Sequence, residues 1–196
     1  VLFRSQLHRD GVMVSPQHHV TLNQLIRLLH VDMRLPQTLD DDAVNFVELH
    51  QRCHEAAIRG KLPFMHIEGV GEWTMTKTKR LQHLHAELMD LRAPFSWDGD
   101  PGAEVFDRLA RQYELDAGGT LPALLPRHVL EALRGAEAPP FHLTEVDGLV
   151  MLDTAPDFTE LEQDLLAEVA RWCPIHQLLN PGSFRLRSEE HTSELQ

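Results

Sequence analysis

Asp147-Gly-Leu-Val-Met-Leu-Asp153-Thr-Ala-Pro-Asp157-Phe-Thr-Glu-Leu-Glu-Gln-Asp-Leu-Leu166 is the stretch that decides the fold. Gly148 to Asp153 is a short apolar run ending in a carboxylate, which predicts a buried strand. Asp157 or Thr159 then caps a helix running to about Trp172, with Leu161, Leu165, Leu166 and Val169 on its core face. Ile175-His-Gln-Leu-Leu179 reads as the next strand and Asn180-Pro-Gly-Ser183 as the loop after it. Strand, helix and strand joined by short connections make a βαβ unit, and such a unit has parallel strands. The alternative is a hairpin turn at Asp147-Gly148, which makes the region α+β.

Upstream the period changes to that of helices. Thr21 caps a helix to about Val31, with Leu22, Leu25, Ile26 and Leu29 on one face. Asp40-Asp41-Asp42 opens the next helix, where carboxylates complement the exposed N–H groups. A cation site is the competing reading of that triplet. Val44, Val47, Cys53 and Ala57 lie on this helix and Gly60 ends it. A third helix runs from about Thr74 to Leu91, with Leu81, Leu84, Leu88 and Leu91 as its expected apolar stripe. Lys77, Lys79 and Arg80 form a compact basic cluster on its first half. Pro94 to Gly102 reads as a linker-like turn. Ala103 to Leu115 follows as a helix with Val105, Phe106, Leu109 and Tyr113 inward, stopped by Gly118-Gly119. Another spans Pro122 to Leu133, with a restart at Pro126. The expected layout is an α/β, mostly helical chain with a helical subdomain over 6–136 and a strand–helix–strand over 137–186.

Composition sets outer limits. The chain has 196 residues, 42% of them apolar, and a net charge of −12. That charge argues against a free-standing electrostatic binder of nucleic acid, which needs a basic patch. No apolar run is long enough to span a bilayer, so no membrane is expected. Two cysteines, Cys53 and Cys173, make no disulfide framework, and a cytoplasmic, reducing compartment is the default. Both read as buried apolar residues, since no base is positioned to activate a thiol.

Thirteen histidines invite a metal reading. His83 and His85 stand two apart and diverge on a helix. His50 and His54 are four apart and so can chelate, but no third ligand accompanies them. Ordinary surface histidines are expected, and no metal site. Trp73 has two readings, a core residue or a stacking platform for a base.

The ends carry a further expectation. Residues 187–196 resemble the in-frame translation of a sequencing-library adapter, and residues 1–5 the matching adapter end. They are left out of fold reasoning. The remainder, about Gln6 to Leu186, is expected to be an internal piece of a longer protein.

The strand ending in Asp153, then Asp157-Phe-Thr and a Leu-Leu helix, resembles the corresponding segment of superfamily I helicases of the UvrD type. It is most similar to AddB-like and RecB-like helicase–nucleases, including their inactivated helicase domains. In that family a helical subdomain precedes this strand within a RecA-like, P-loop NTPase-type parallel sheet. The resemblance covers about 45 residues at motif level, from Pro139 to Phe184. It implies that Asp153, Thr154 and Asp157 occupy degenerate Walker-B-like positions. An active member has Asp-Glu there, and Thr154 cannot act as the general base. A Gln expected near Leu179 to Phe184 is also missing; the family's phosphate-cradling Gly-rich loop is not in this piece and has its place upstream of it. The resemblance thus implies a non-hydrolysing scaffold and DNA guide in double-strand break processing. No catalytic residue lies in the fragment, and ATP with Mg belongs only to a full protein. DNA contact, through Lys77, Lys79 and Arg80 among others, is implied for the full-length protein, along with a helicase–nuclease partner subunit. Any nuclease activity is that of a downstream PD-(D/E)XK domain. The competing class is an acidic helical protein-interaction module without a nucleic-acid role.

Overall fold

A computed structural model describes residues 20–62, 73–91, 99–151 and 158–177. Asp153, Thr154, Asp157, both adapter-like ends and most of the Pro94–Gly102 turn lie outside the described residues. The described chain is mostly helical with a small parallel sheet of two strands.

Local chemistry explains most helix ends. Helix α1, Leu22–Asp32, starts with a capping box in which the Gln24 amide N–H donates to Thr21 Oγ1. The Thr21 N–H in turn donates to Gln24 Oε1 at 2.8 Å, so two orphan donors are satisfied reciprocally. Helix α2, Asp42–Ile58, is capped by Asp41, whose Oδ1 accepts from Ala43 and Val44 N–H at 3.1 Å each. That carboxylate is therefore committed to the helix start. Gly60 then turns the chain at φ +66°. Helix α3 is Met75–Leu91 and helix α4 is Pro101–Ala117. Gly118, at φ +66°, ends α4 in the left-handed conformation that glycine adopts without steric cost. A 3₁₀ turn, Pro122–Leu124, leads into α5, Leu125–Gly135, with Pro126 at its first turn. A one-turn helix, α6, spans Phe141–Thr144, where the sequence reading placed no element.

The strand–helix–strand follows. Strand β1 is Leu149–Met151, α7 is Glu160–Ala170 and β2 is Ile175–Gln177. Thr159, not Asp157, caps α7, through a second capping box with Glu162. β1 and β2 pair in parallel, with Leu149 opposite Ile175 and Met151 opposite Gln177. The hairpin alternative at Asp147-Gly148 fails, because β1 pairs with a strand that returns through α7.

Two apolar cores hold these elements. The first joins Leu25, Ile26 and Leu29 of α1 with Val129, Leu130 and Leu133 of α5, Leu143 of α6, and Leu161, Leu165 and Val169 of α7. Leu149 and Ile175 pack against it from the sheet. The second joins Leu49 and Cys53 of α2, Trp73 just before α3, Leu81 and Met89 of α3, and Phe106, Ala110 and Tyr113 of α4. The first core therefore draws on residues from both sides of the expected boundary at 136/137. The sheet and α7 are seated directly on the helical block.

Two expected stripes are rotated. On α3, Leu84 is 36% and Leu91 63% exposed, while Thr78, Leu81, His85 and Leu88 are buried. On α2, Val44 and Val47 are about half exposed, and Asn45, Leu49, Cys53 and Ala56 face inward. In both cases a polar residue takes a buried position because another element satisfies it. Tyr113 Oη donates to Asn45 Oδ1 at 2.8 Å, and Asn45 Nδ2 donates to the Leu39 carbonyl at 2.7 Å.

Candidate functional site

The basic cluster sits where the sequence places it. Lys79 and Arg80 are exposed and Lys77 half-buried, all within the first two turns of α3. No acidic residue stands in that first turn. Three cations beside the positive end of the helix macrodipole oppose it, which leaves this end favourable to an approaching anion. Met75, 57% exposed, extends the same end. Trp73 does not: it is buried, and its Nε1–H donates to Thr78 Oγ1 at 2.7 Å. Its core reading holds.

The segment resembling a Walker-B strand is described up to Met151 and again from Phe158. The Leu149 N–H donates at 2.8 Å to the carbonyl of Pro174, the residue just before β2, so the pairing starts at the first residue of β1. Asp153, Thr154 and Asp157 themselves lie outside the described residues.

A buried polar network escaped sequence reasoning. His85 on α3, Asp107 on α4 and Arg127 on α5 are each at least nine-tenths buried. His85 Nε2 lies 2.9 Å from Asp107 Oδ1, and Arg127 Nη1 donates to the same oxygen at 2.6 Å. Arg111 Nε donates to Asp107 Oδ2 at 3.1 Å. Glu131 Oε1 accepts from both Arg127 and Arg111. Burial pushes the Asp107 carboxyl up, but the His85 hydrogen bond and the two guanidinium groups outweigh it and hold it below the usual carboxylate range. Each group faces another, so the network ties α3, α4 and α5 together. His128 similarly meets Glu114 Oε2 at 2.8 Å, while Glu114 Oε1 accepts the Leu121 N–H. His142 meets Asp32 at 2.7 Å. Each of these histidines meets a carboxylate, His85 in the buried core and His142 with 40% of its side chain still exposed. Their partners are 14 to 110 positions away in the chain, beyond the reach of local pattern.

The cysteines behave as expected. Cys53 and Cys173 are free and buried. Burial raises the Cys53 thiol to about 12, with the Thr78 hydrogen bond opposing only part of the rise. A thiol so protonated at neutral pH is no nucleophile. Among the described residues no group of three or more metal-ligating side chains assembles. An open depression of about 430 Å³ is lined by His50, Gln51, His54 and Trp73. Among the described residues no helix is long and apolar enough to cross a membrane.

No family model, curated protein or solved structure matches the chain.

Proposed function

We propose that the chain is the helical insertion and adjoining strand–helix–strand of a UvrD/AddB-like helicase–nuclease protein. It serves there as a scaffold and DNA guide and does not hydrolyse nucleotide. The observation that carries this reading is the parallel β1–α7–β2 unit, whose first strand leads in sequence into Leu152-Asp153-Thr154. In a parallel sheet that position is the ligand-facing end of a strand, and a threonine there supplies no base for water attack. The RecA-like sheet, the nuclease domain, the partner subunit and ATP with Mg belong to the whole protein in this reading. The cytoplasm is its compartment.

Fluorescence anisotropy of a labelled single-stranded oligonucleotide, read across a salt series, tests the DNA part. The chain binds weakly, and exchanging Lys79 and Arg80 for alanine flattens the log–log salt slope by about 1.4. An unchanged slope removes the guide role. ATP turnover by the chain would overturn the degenerate-site reading.

A second reading, the acidic helical interaction module, draws on one observation. Val44, Val47 and Ile58 are 51%, 52% and 73% exposed along α2, a helix face without an apolar partner among the described residues. Absence of any DNA binding at low salt favours it.

A further inference from the structure

We propose that His50 and His54 form a two-imidazole chelate for a borderline transition-metal cation of the Ni²⁺ or Zn²⁺ type. The pair stands four residues apart on α2, so both side chains leave the same face of the helix. Their ring centroids are 6.4 Å apart with planes at 45°. Both rings line the open depression beside Gln51 and Trp73, which leaves room for an ion with water in its remaining positions.

One tautomer of His50 presents Nε2 as the coordinating nitrogen. His50 Nδ1 lies 2.9 Å from Thr78 Oγ1, deep in the second core. With the Nδ1–H donating to that hydroxyl, Nε2 carries the lone pair on the far side of the ring. A metal-binding imidazole uses its second nitrogen in this way, to fix tautomer and orientation. Phe46, one turn earlier on α2, stacks at 13° to the His50 ring and backs it. His54 has no hydrogen-bond partner among the described residues, so its ring is free to swing toward His50. Metal–nitrogen bonds of about 2.0–2.1 Å require the rings to close on one another, and rotation of the His54 side chain supplies that movement. His83, His85, His128 and His142 each face a carboxylate instead. Imidazole pairs suit zinc, copper and nickel and not calcium or magnesium.

Calorimetric titration of the chain with Ni²⁺ at neutral pH decides the matter. All chains carry His18→Gln and His19→Gln, which removes an adjacent histidine pair present in the sequence. One ion binds the parent, affinity falls by about tenfold or more in His54→Gln, and His83→Gln leaves it unchanged. Failure of the parent to bind overturns the proposal. So does full affinity in His54→Gln, or an equal loss in His83→Gln. Where circular dichroism finds His54→Gln unfolded, paramagnetic broadening of imidazole signals in the parent answers instead. The His50 and His54 signals are expected to broaden first, and broadening that begins elsewhere overturns the site.

Discussion

His85 and Asp107 stand 22 positions apart, on different helices, and meet at 2.9 Å with both side chains buried. Arg127 reaches the same carboxylate oxygen from a third helix. Asp107→Ala therefore leaves a guanidinium buried with only part of its compensation. A loss of about 3–5 kcal/mol is expected in urea unfolding. Adding Arg127→Met to that background removes the stranded charge and restores part of the loss. A cost under about 1 kcal/mol for Asp107→Ala would mean that water replaces the carboxylate.

The same carboxylate shapes the acid limb. Its folded pKa lies below its unfolded value, about 3.9. Its contribution is thus fully present above that value and is lost as pH falls through the folded one. Asp90 works in the opposite sense, because burial and the nearby Glu162 push its carboxyl up. Asp107→Asn is expected to flatten the decline of stability below about pH 4, as read from urea midpoints. An unaltered acid limb refutes the assignment.

Neighbouring glycines at the end of α4 make a contrasting pair. A Cβ on Gly119 would sit 2.5 Å from Leu39 Cδ2 and 2.8 Å from the Gln37 carbonyl. Gly119→Ala must displace backbone, at about 1–3 kcal/mol. Gly118 has open space around it but φ +66°, so Gly118→Ala costs about 1 kcal/mol from conformation alone. Equal thermal shifts would deny the steric difference.

Thr159→Ala removes one half of the capping box of α7. A loss of about 1 kcal/mol is expected. Thr159→Ser should retain nearly all the stability, and failure of serine to substitute would locate the effect in the threonine methyl.

Elements fixed by neighbours in the chain were legible. Thr21, Asp41, Gly60, Gly118 and Pro126 act within a turn of their own positions, and the parallel strands followed from the spacing of two apolar runs. What was hidden depends on distance. Nothing near His85 announces Asp107, and nothing near Asn45 announces Tyr113, 68 positions on. The Leu81–Leu91 stripe read as more apolar than the true buried face because a paired histidine replaced leucine there. The basic cluster was visible, and Trp73 beside it is held by Thr78 five positions on. The His50–His54 spacing was visible too, whereas the hydroxyl that orients His50 lies 28 positions away.

The small sheet has a consequence in time. β1 and β2 share three residue pairs, and the residues that separate them include all of α7. Closing that loop precedes any reward from strand pairing. The α7 face, by contrast, has Val129, Leu130 and Leu133 of α5 in one core with Leu165 and Val169. Docking of α7 on α5 is thus expected to bring the strands into register before the sheet zips. In native-state exchange, amides of β1 should open at lower free energy than those in the middle of α5.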